Sequence, residues 1–265
     1  MKKQVIFSLS LLASVLASAS TVTSDNTFGV LKITATSAET VIGVPWVGVG
    51  GGSVTVSNIV LTSNLKTGDY LYYYDGSGYK TWYLTADGGI WTPVSTVIKG
   101  NTVNAPGAAS TVTLSRGKAI ILKMANWDSR EDKDIYIYGQ YAALGSGDTT
   151  SITVPTSDGS VVWSLIAPPS ATDFDLNGAS VSIGDVKPVA GDAIITNLNM
   201  STWIRYNNES SKWGRYTETT NEYGVVTGTS FTEGAVIKAG NGAWYRAEGG
   251  HTDGTLTIQW GTDAE

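Results

Sequence analysis

The chain has 265 residues, including 31 glycines, 9 tryptophans, 13 tyrosines, a single histidine and no cysteine, and only 15% of its residues are charged. These counts exclude a disulfide framework, a cysteine nucleophile, a cysteine metal cluster and a multi-histidine zinc centre. A hydrophobic content of 42% is too high for a disordered chain, and the length suffices for one large domain or two ordinary ones.

Residues 1–19 read as a secretory signal peptide. Lys2 and Lys3 supply a positive start, Val5 to Leu16 is apolar apart from serines, and Ala17-Ser18-Ala19 is a small-x-small cleavage site. The apolar stretch is short for a membrane anchor, and no later segment reaches the length of a bilayer span. The expected location is therefore secreted, extracellular or periplasmic. Loss of Lys2 and Lys3 takes the net charge from −6 to −8. An acidic chain does not attract phosphate backbones, so nucleic acid is not an expected partner.

From Ser20 onward, stretches rich in Val, Ile, Thr, Tyr and Trp alternate with Gly, Asn, Asp and Ser at intervals of roughly eight to twelve residues, the pattern of an all-β sandwich or barrel. In the first half, strands are predicted at 29–34, 40–44, 53–56, 70–74, 80–84, 111–114, 118–124 and 135–138. In the second they are predicted at 151–154, 161–166, 180–183, 193–196, 202–206, 235–238, 243–246 and 256–260. Residues 118–127 are long enough for a helix, but Ile120-Ile121 after Gly117 favours a buried strand.

The order of landmarks recurs. Gly68-Asp69, Trp82, Trp91, Gly117 and Ile135 in the first half match Gly191-Asp192, Trp203, Trp213, Gly234 and Leu256 in the second. Near-constant spacing of this kind marks a repeated unit. The expectation is two tandem β-sandwich or barrel-like units related by internal duplication, at 24–142 and 150–262, joined by a linker at 143–149.

Residues 70–84 form the clearest hairpin, with Asp75-Gly-Ser-Gly78 as a four-residue turn. Pairing Tyr74 with Tyr79 puts Tyr70, Tyr72, Tyr74, Tyr79 and Tyr83 on one face and Leu71 and Trp82 on the other. The tyrosine face suits the apolar faces of sugar rings, with hydroxyls placed for hydrogen bonds. The plainer alternative is cross-strand tyrosine pairing that only stabilises the sheet.

Asp173-Phe-Asp-Leu-Asn-Gly178 opens like a calcium loop, with Asp173, Asp175 and Asn177 as oxygen ligands and Asp185 as a substitute for the missing glutamate. Gly184 stands where that glutamate belongs and no helical pattern flanks the loop, so an Asx-rich turn is favoured and calcium is the weaker alternative. Asp128, Glu131, Asp132 and Asp134 crowd together, but Arg130 and Lys133 sit among them, as in a solvated hairpin tip. Gly48 and Gly50 to Gly52 lack the lysine and hydroxyl residue of a phosphate loop. His251 is expected in a turn, without a nucleophile motif nearby. No cofactor is expected.

Val44-Pro-Trp46, Leu65-Lys-Thr-Gly-Asp69, Trp82-Tyr-Leu84, Gly89-Ile-Trp91, Arg116-Gly117 and Ile135-Tyr-Ile-Tyr-Gly-Gln-Tyr141 resemble an uncharacterised family of secreted β-rich proteins of verrucomicrobial-type bacteria. The resemblance spans about 100 residues of the first half. It implies export and no assigned activity, and carries over no catalytic residue. The leading expectation is an exported, non-catalytic structural or adhesive protein of the cell surface or envelope. Its partners would be polysaccharide, other envelope proteins or further copies of itself. The alternative is a carbohydrate-binding module using the tyrosine face. A glycan hydrolase or lyase is a third reading, with no reaction motif to nominate its acids.

Overall fold

A computed structural model of the chain describes residues 27–48, 53–76, 78–98, 101–103, 106–141, 149–178, 181–196 and 203–261. The expected leader, residues 143–148 of the expected linker at 143–149 and the glycine run at 49–52 lie outside these residues. The described chain is all-β apart from two short 3-10 turns. The first half contains β1 (Thr27–Thr34), β2 (Glu39–Gly43), β3 (Val54–Thr55), β4 (Tyr70–Tyr74), β5 (Tyr79–Leu84), β6 (Trp91–Pro93), β7 (Thr96–Ile98), β8 (Asn101–Val103), β9 (Thr113–Leu114), β10 (Ala119–Lys123) and β11 (Asp134–Tyr141). The second contains β12 (Thr149–Asp158), β13 (Val162–Ile166), β14 (Phe174–Asp175), β15 (Val181–Ile183), β16 (Ala193–Ile195), β17 (Trp203–Asn207), β18 (Lys212–Thr220), β19 (Val226–Glu233), β20 (Val236–Ile237), β21 (Ala243–Ala247) and β22 (Gly250–Gly261).

The two halves share one topology. The large sheet of the first runs β2-β10-β4-β5-β6, and that of the second runs β13-β21-β16-β17-β18-β19. The pair β1-β11 has its counterpart in β12-β22, and β3-β9 in β14-β20. In each half the inward side chains of the large sheet meet those of the smaller pair. Leu71, Trp82, Ile120 and Leu122 pack with Ile33, Ile135 and Ile137 in one core, and Ile194, Ile204, Trp213 and Tyr245 with Ile152, Leu256 and Ile258 in the other. Such burial stabilises by roughly 1.5–3 kcal/mol per large apolar side chain. Within the 118–127 segment Ala119–Lys123 is β10, a strand rather than a helix, and a 3-10 turn begins at Trp127.

Pairing also corrects two landmarks. Leu71 faces Trp82 and Ile194 faces Ile204, so the counterpart of Trp82 is Ile204, and Trp203 points to the opposite face. Gly117 corresponds to Gly240, not Gly234: both have positive φ, +77° and +75°, and both sit at the joint described next.

The halves dock about an internal pseudo-twofold axis. Ile42 bridges Asn241, and Ile166 bridges Lys118. The Gly43 N–H donates to the Gly240 carbonyl at 2.7 Å, and the Ala167 N–H donates to the Gly117 carbonyl at 2.8 Å. Each half thus gives one donor and one acceptor at matching positions, the pattern of an isologous interface. Small residues permit the approach. A Cβ on Gly43 would lie 2.7 Å from the Ala167 Cβ, and one on Gly242 would lie 2.5 Å from the Ala119 Cβ. A third apolar cluster surrounds the joint, with Val41, Ala119 and Ile121 from one half and Leu165, Ala167, Ile195 and Trp244 from the other.

Candidate functional site

The β4–β5 hairpin adopts the register read from its sequence: Tyr70 faces Tyr83, Tyr72 faces Thr81 and Tyr74 faces Tyr79. Its turn is closed by the Gly78 N–H donating to Asp75 Oδ1 at 3.1 Å, and Lys80 pairs with the same carboxylate. Alternation then sends Leu71 and Trp82 inward and the tyrosines outward. Tyr70 and Tyr72 lie within 12° of parallel, with centroids 6.0 Å apart, and Tyr83 follows at 6.2 Å from Tyr70.

The tyrosine face is not free-standing. Tyr72 and Tyr74 pack against the joint cluster, and Trp244 of the second half meets Tyr74 at 5.5 Å and Tyr79 at 6.4 Å, edge to face in both cases. Trp163 continues the run at 5.9 Å from Trp244. With Tyr72 and Tyr74 each touching Tyr79, rings contact one another without interruption from Tyr83 to Trp163, across the boundary between the halves. Trp244 is buried, Tyr79 is 51% exposed, and Tyr70, Tyr72, Tyr74, Tyr83, Trp163 and Trp203 are half-buried. Partial burial raises the Tyr72 and Tyr79 hydroxyls above the usual phenol range, so both remain hydrogen-bond donors through the physiological range.

Two arginines complete the surface. The Arg246 guanidinium lies 5.9 Å from the Trp163 ring centroid and 5.8 Å from that of Trp203, and Arg205 lies 5.5 Å from Trp203. Arg246 also pairs with Glu248. Each guanidinium thus lies within cation–π range of an indole. Trp163, Trp203, Trp244, Arg205 and Arg246 were not among the expected site residues. For Trp203, Arg205, Trp244 and Arg246 the signal was present in the repeated Trp-x-Arg of Trp203-Ile-Arg205 and Trp244-Tyr-Arg246, since residues two apart on a strand share a face. A separate groove of about 820 Å³ opens between the halves beside Thr36, Thr196, Arg215 and Glu233, and shares no ring with this run.

The other candidates have structural partners. Asp173 is held by Lys238 Nζ at 2.7 Å and the Ala239 N–H at 2.9 Å, which keep its carboxyl below the usual range. Asp175 accepts from the Asn177 N–H in an Asx turn. Asn177 is fully engaged with Trp213, donating to its carbonyl at 2.7 Å and accepting from its N–H at 2.8 Å. Asp185 does not join them: among the described residues no three His, Cys, Asp or Glu side chains gather as a metal site. In the acidic run, Asp134 pairs with Lys32, and Lys133 lies over the Trp127 ring.

His251 is not in a turn. It is the second residue of β22, 3% exposed, and its Nε2 lies 2.9 Å from both oxygens of Asp192. Asp192 also accepts from the Tyr245 hydroxyl, the Val189 N–H and the Glu248 N–H. In the first half Asp69 accepts from the Lys66 and Ala125 N–H groups and from Arg130 Nη1 at 2.8 and 2.9 Å. The two Gly-Asp landmarks are thus buried carboxylates with matching backbone donors and different side-chain partners, Arg130 and His251.

Comparison with family models, with curated proteins and with solved structures finds no match. Among the described residues no helix is long and apolar enough to cross a membrane.

Proposed function

We propose that the chain is an exported, non-catalytic adhesive protein of the bacterial cell surface or envelope, and that it holds polysaccharide along the aromatic run. The observation that carries this reading is the continuity of rings from Tyr83 through Tyr70, Tyr72, Tyr79, Tyr74 and Trp244 to Trp163. Only a linear ligand with repeated apolar faces would use so long a row. Sugar rings have such faces, and the phenol hydroxyls and arginine side chains match their hydroxyl groups. A catalytic reading gains no support from the buried acids, because Asp69 and Asp192 are engaged by backbone N–H donors and by Arg130 and His251. The shared topology supports an internal duplication, and the leader-like residues 1–19 together with the resemblance of the first half support export.

The test is affinity electrophoresis of the chain from Ser20 against a panel of soluble polysaccharides, followed by titration with any that retards it. Tyr79→Ala and Trp163→Ala should each weaken binding by about two- to tenfold, the worth of a lost ring contact. Tyr223→Ala, exposed and outside the run, should leave it unchanged. Retardation by no polysaccharide, or equal binding by all three variants, would exclude the proposal.

A further inference from the structure

The β18–β19 hairpin leaves the body of the protein. From Arg215 to Ser230 every residue is exposed, and Phe231 is half-buried and meets Tyr216 at 5.0 Å. Neither face of this arm is covered. Strand β19 ends the six-stranded sheet, so its outer edge has no partner in the sheet. Three other terminal strands carry residues that discourage edge pairing, Lys32 in β1, Pro93 in β6 and Pro155 in β12, whereas β2, β13 and β15 carry no lysine or proline. Strand β19 has neither lysine nor proline. Its irregularity lies at Thr227, and the ladder from Gly228 to Glu233 is regular.

The backbone fixes which groups are free. The Gly234 N–H donates to the Trp213 carbonyl. Alternation in an antiparallel ladder then turns the N–H and C=O of Thr232, Ser230 and Gly228 toward β18, and those of Glu233, Phe231 and Thr229 toward the open side. This outward set is symmetric about Phe231.

We propose that a second copy of this chain pairs with β19, antiparallel, across a twofold axis at Phe231. In that register Phe231 faces the other Phe231 and each Glu233 faces a Thr229. All three outward residues of each strand are used, giving about six hydrogen bonds. The Tyr216–Phe231 pair, exposed at Tyr216 and half-buried at Phe231, becomes half of a four-ring cluster across the axis. The carboxylates sit at opposite ends, so no like charges meet. A parallel pairing would set the two Glu233 side by side and is disfavoured.

Sedimentation or light scattering of the chain from Ser20, over a concentration series, reads the assembly directly. Wild type should show the mass of two chains. Phe231→Lys and Phe231→Glu, each alone, should show the mass of one, because identical charges then meet on the axis. Mixing the two variants should restore the double mass, a rescue that a variant with an unfolded arm could not give. Thr229→Pro, which removes an outward N–H but no hydrogen bond of the hairpin, should also yield single chains. A wild type of single-chain mass throughout, a Phe231→Lys variant that keeps the double mass, or a mixture that stays single would each overturn the proposal.

Discussion

His251 Nε2 lies 2.9 Å from both carboxylate oxygens of Asp192, in the place where Arg130 meets Asp69 in the other half. Both carboxylates are fully buried and accept equivalent backbone N–H groups. Removing Arg130 breaks a buried ion pair, at a cost of about 3–5 kcal/mol, and removing His251 leaves a buried carboxylate short of a hydrogen-bond donor, at a cost of about 1–3 kcal/mol. Arg130→Ala and His251→Ala should lower the unfolding free energy by those respective amounts, measured by urea denaturation. A loss below about 1 kcal/mol would show that the N–H donors alone satisfy the carboxylate.

Tyr245 predicts an alkaline limit. Burial, followed by the nearby Asp192 charge, holds its hydroxyl well above the ordinary value of 10.0. Unfolding above that pH releases a proton that the folded chain retains. The stabilisation is complete below about pH 10 and falls by about 1.4 kcal/mol per pH unit as the pH rises toward the folded value. Tyr245→Phe should flatten the decline of stability between pH 10 and 11 relative to wild type, as read by denaturation at each pH. An unchanged slope would assign the decline to other groups.

Gly43 and Gly242 let the halves approach. Gly43→Val would drive a side chain into Ala167 and the Asn241 carbonyl, an overpacking worth about 1–3 kcal/mol. Because the third apolar cluster belongs to both halves, wild type should melt in one calorimetric transition and Gly43→Val in two. A single unshifted peak would mean that the joint contributes little.

The arm should be dispensable for folding. Residues 217–229 are exposed on both faces, so replacing them with a short turn should change the stability of a single chain by less than about 0.5 kcal/mol. Thermal melting at low concentration checks this. A larger loss would place the arm in the folding unit.

Much of the architecture was legible because it follows from alternation. The tyrosine hairpin, the buried strand at β10 and both Gly-Asp landmarks are residues whose period or rarity marks them. The β18–β19 arm was not: Thr217, Glu218, Thr219 and Thr220 bury nothing, so no hydrophobic period announces a strand. The pairing of Trp82 with Trp203 failed because a one-residue slip reverses the face of a strand while hardly changing the spacing. The site was half legible. The tyrosines share a strand pair, whereas Trp163 and Trp244 reach them only through the docking of the two halves, which no local pattern encodes. His251 looked like a turn residue because glycines precede it, and its partner Asp192 lies 59 positions away.

The aromatic run has chemically different ends. Tyr70 and Tyr83 close one with phenol hydroxyls, and Trp163 with Arg246 closes the other with an indole and a guanidinium. The pseudo-twofold axis of the scaffold does not extend to this surface, since Ala193 takes the place of Tyr70 and Arg205 that of Tyr83. A surface of this kind distinguishes forward from backward. A glycan strand, whose two termini are themselves unlike, would therefore lie on it in one orientation, and the protein would impose a polarity on whatever fibre it grips.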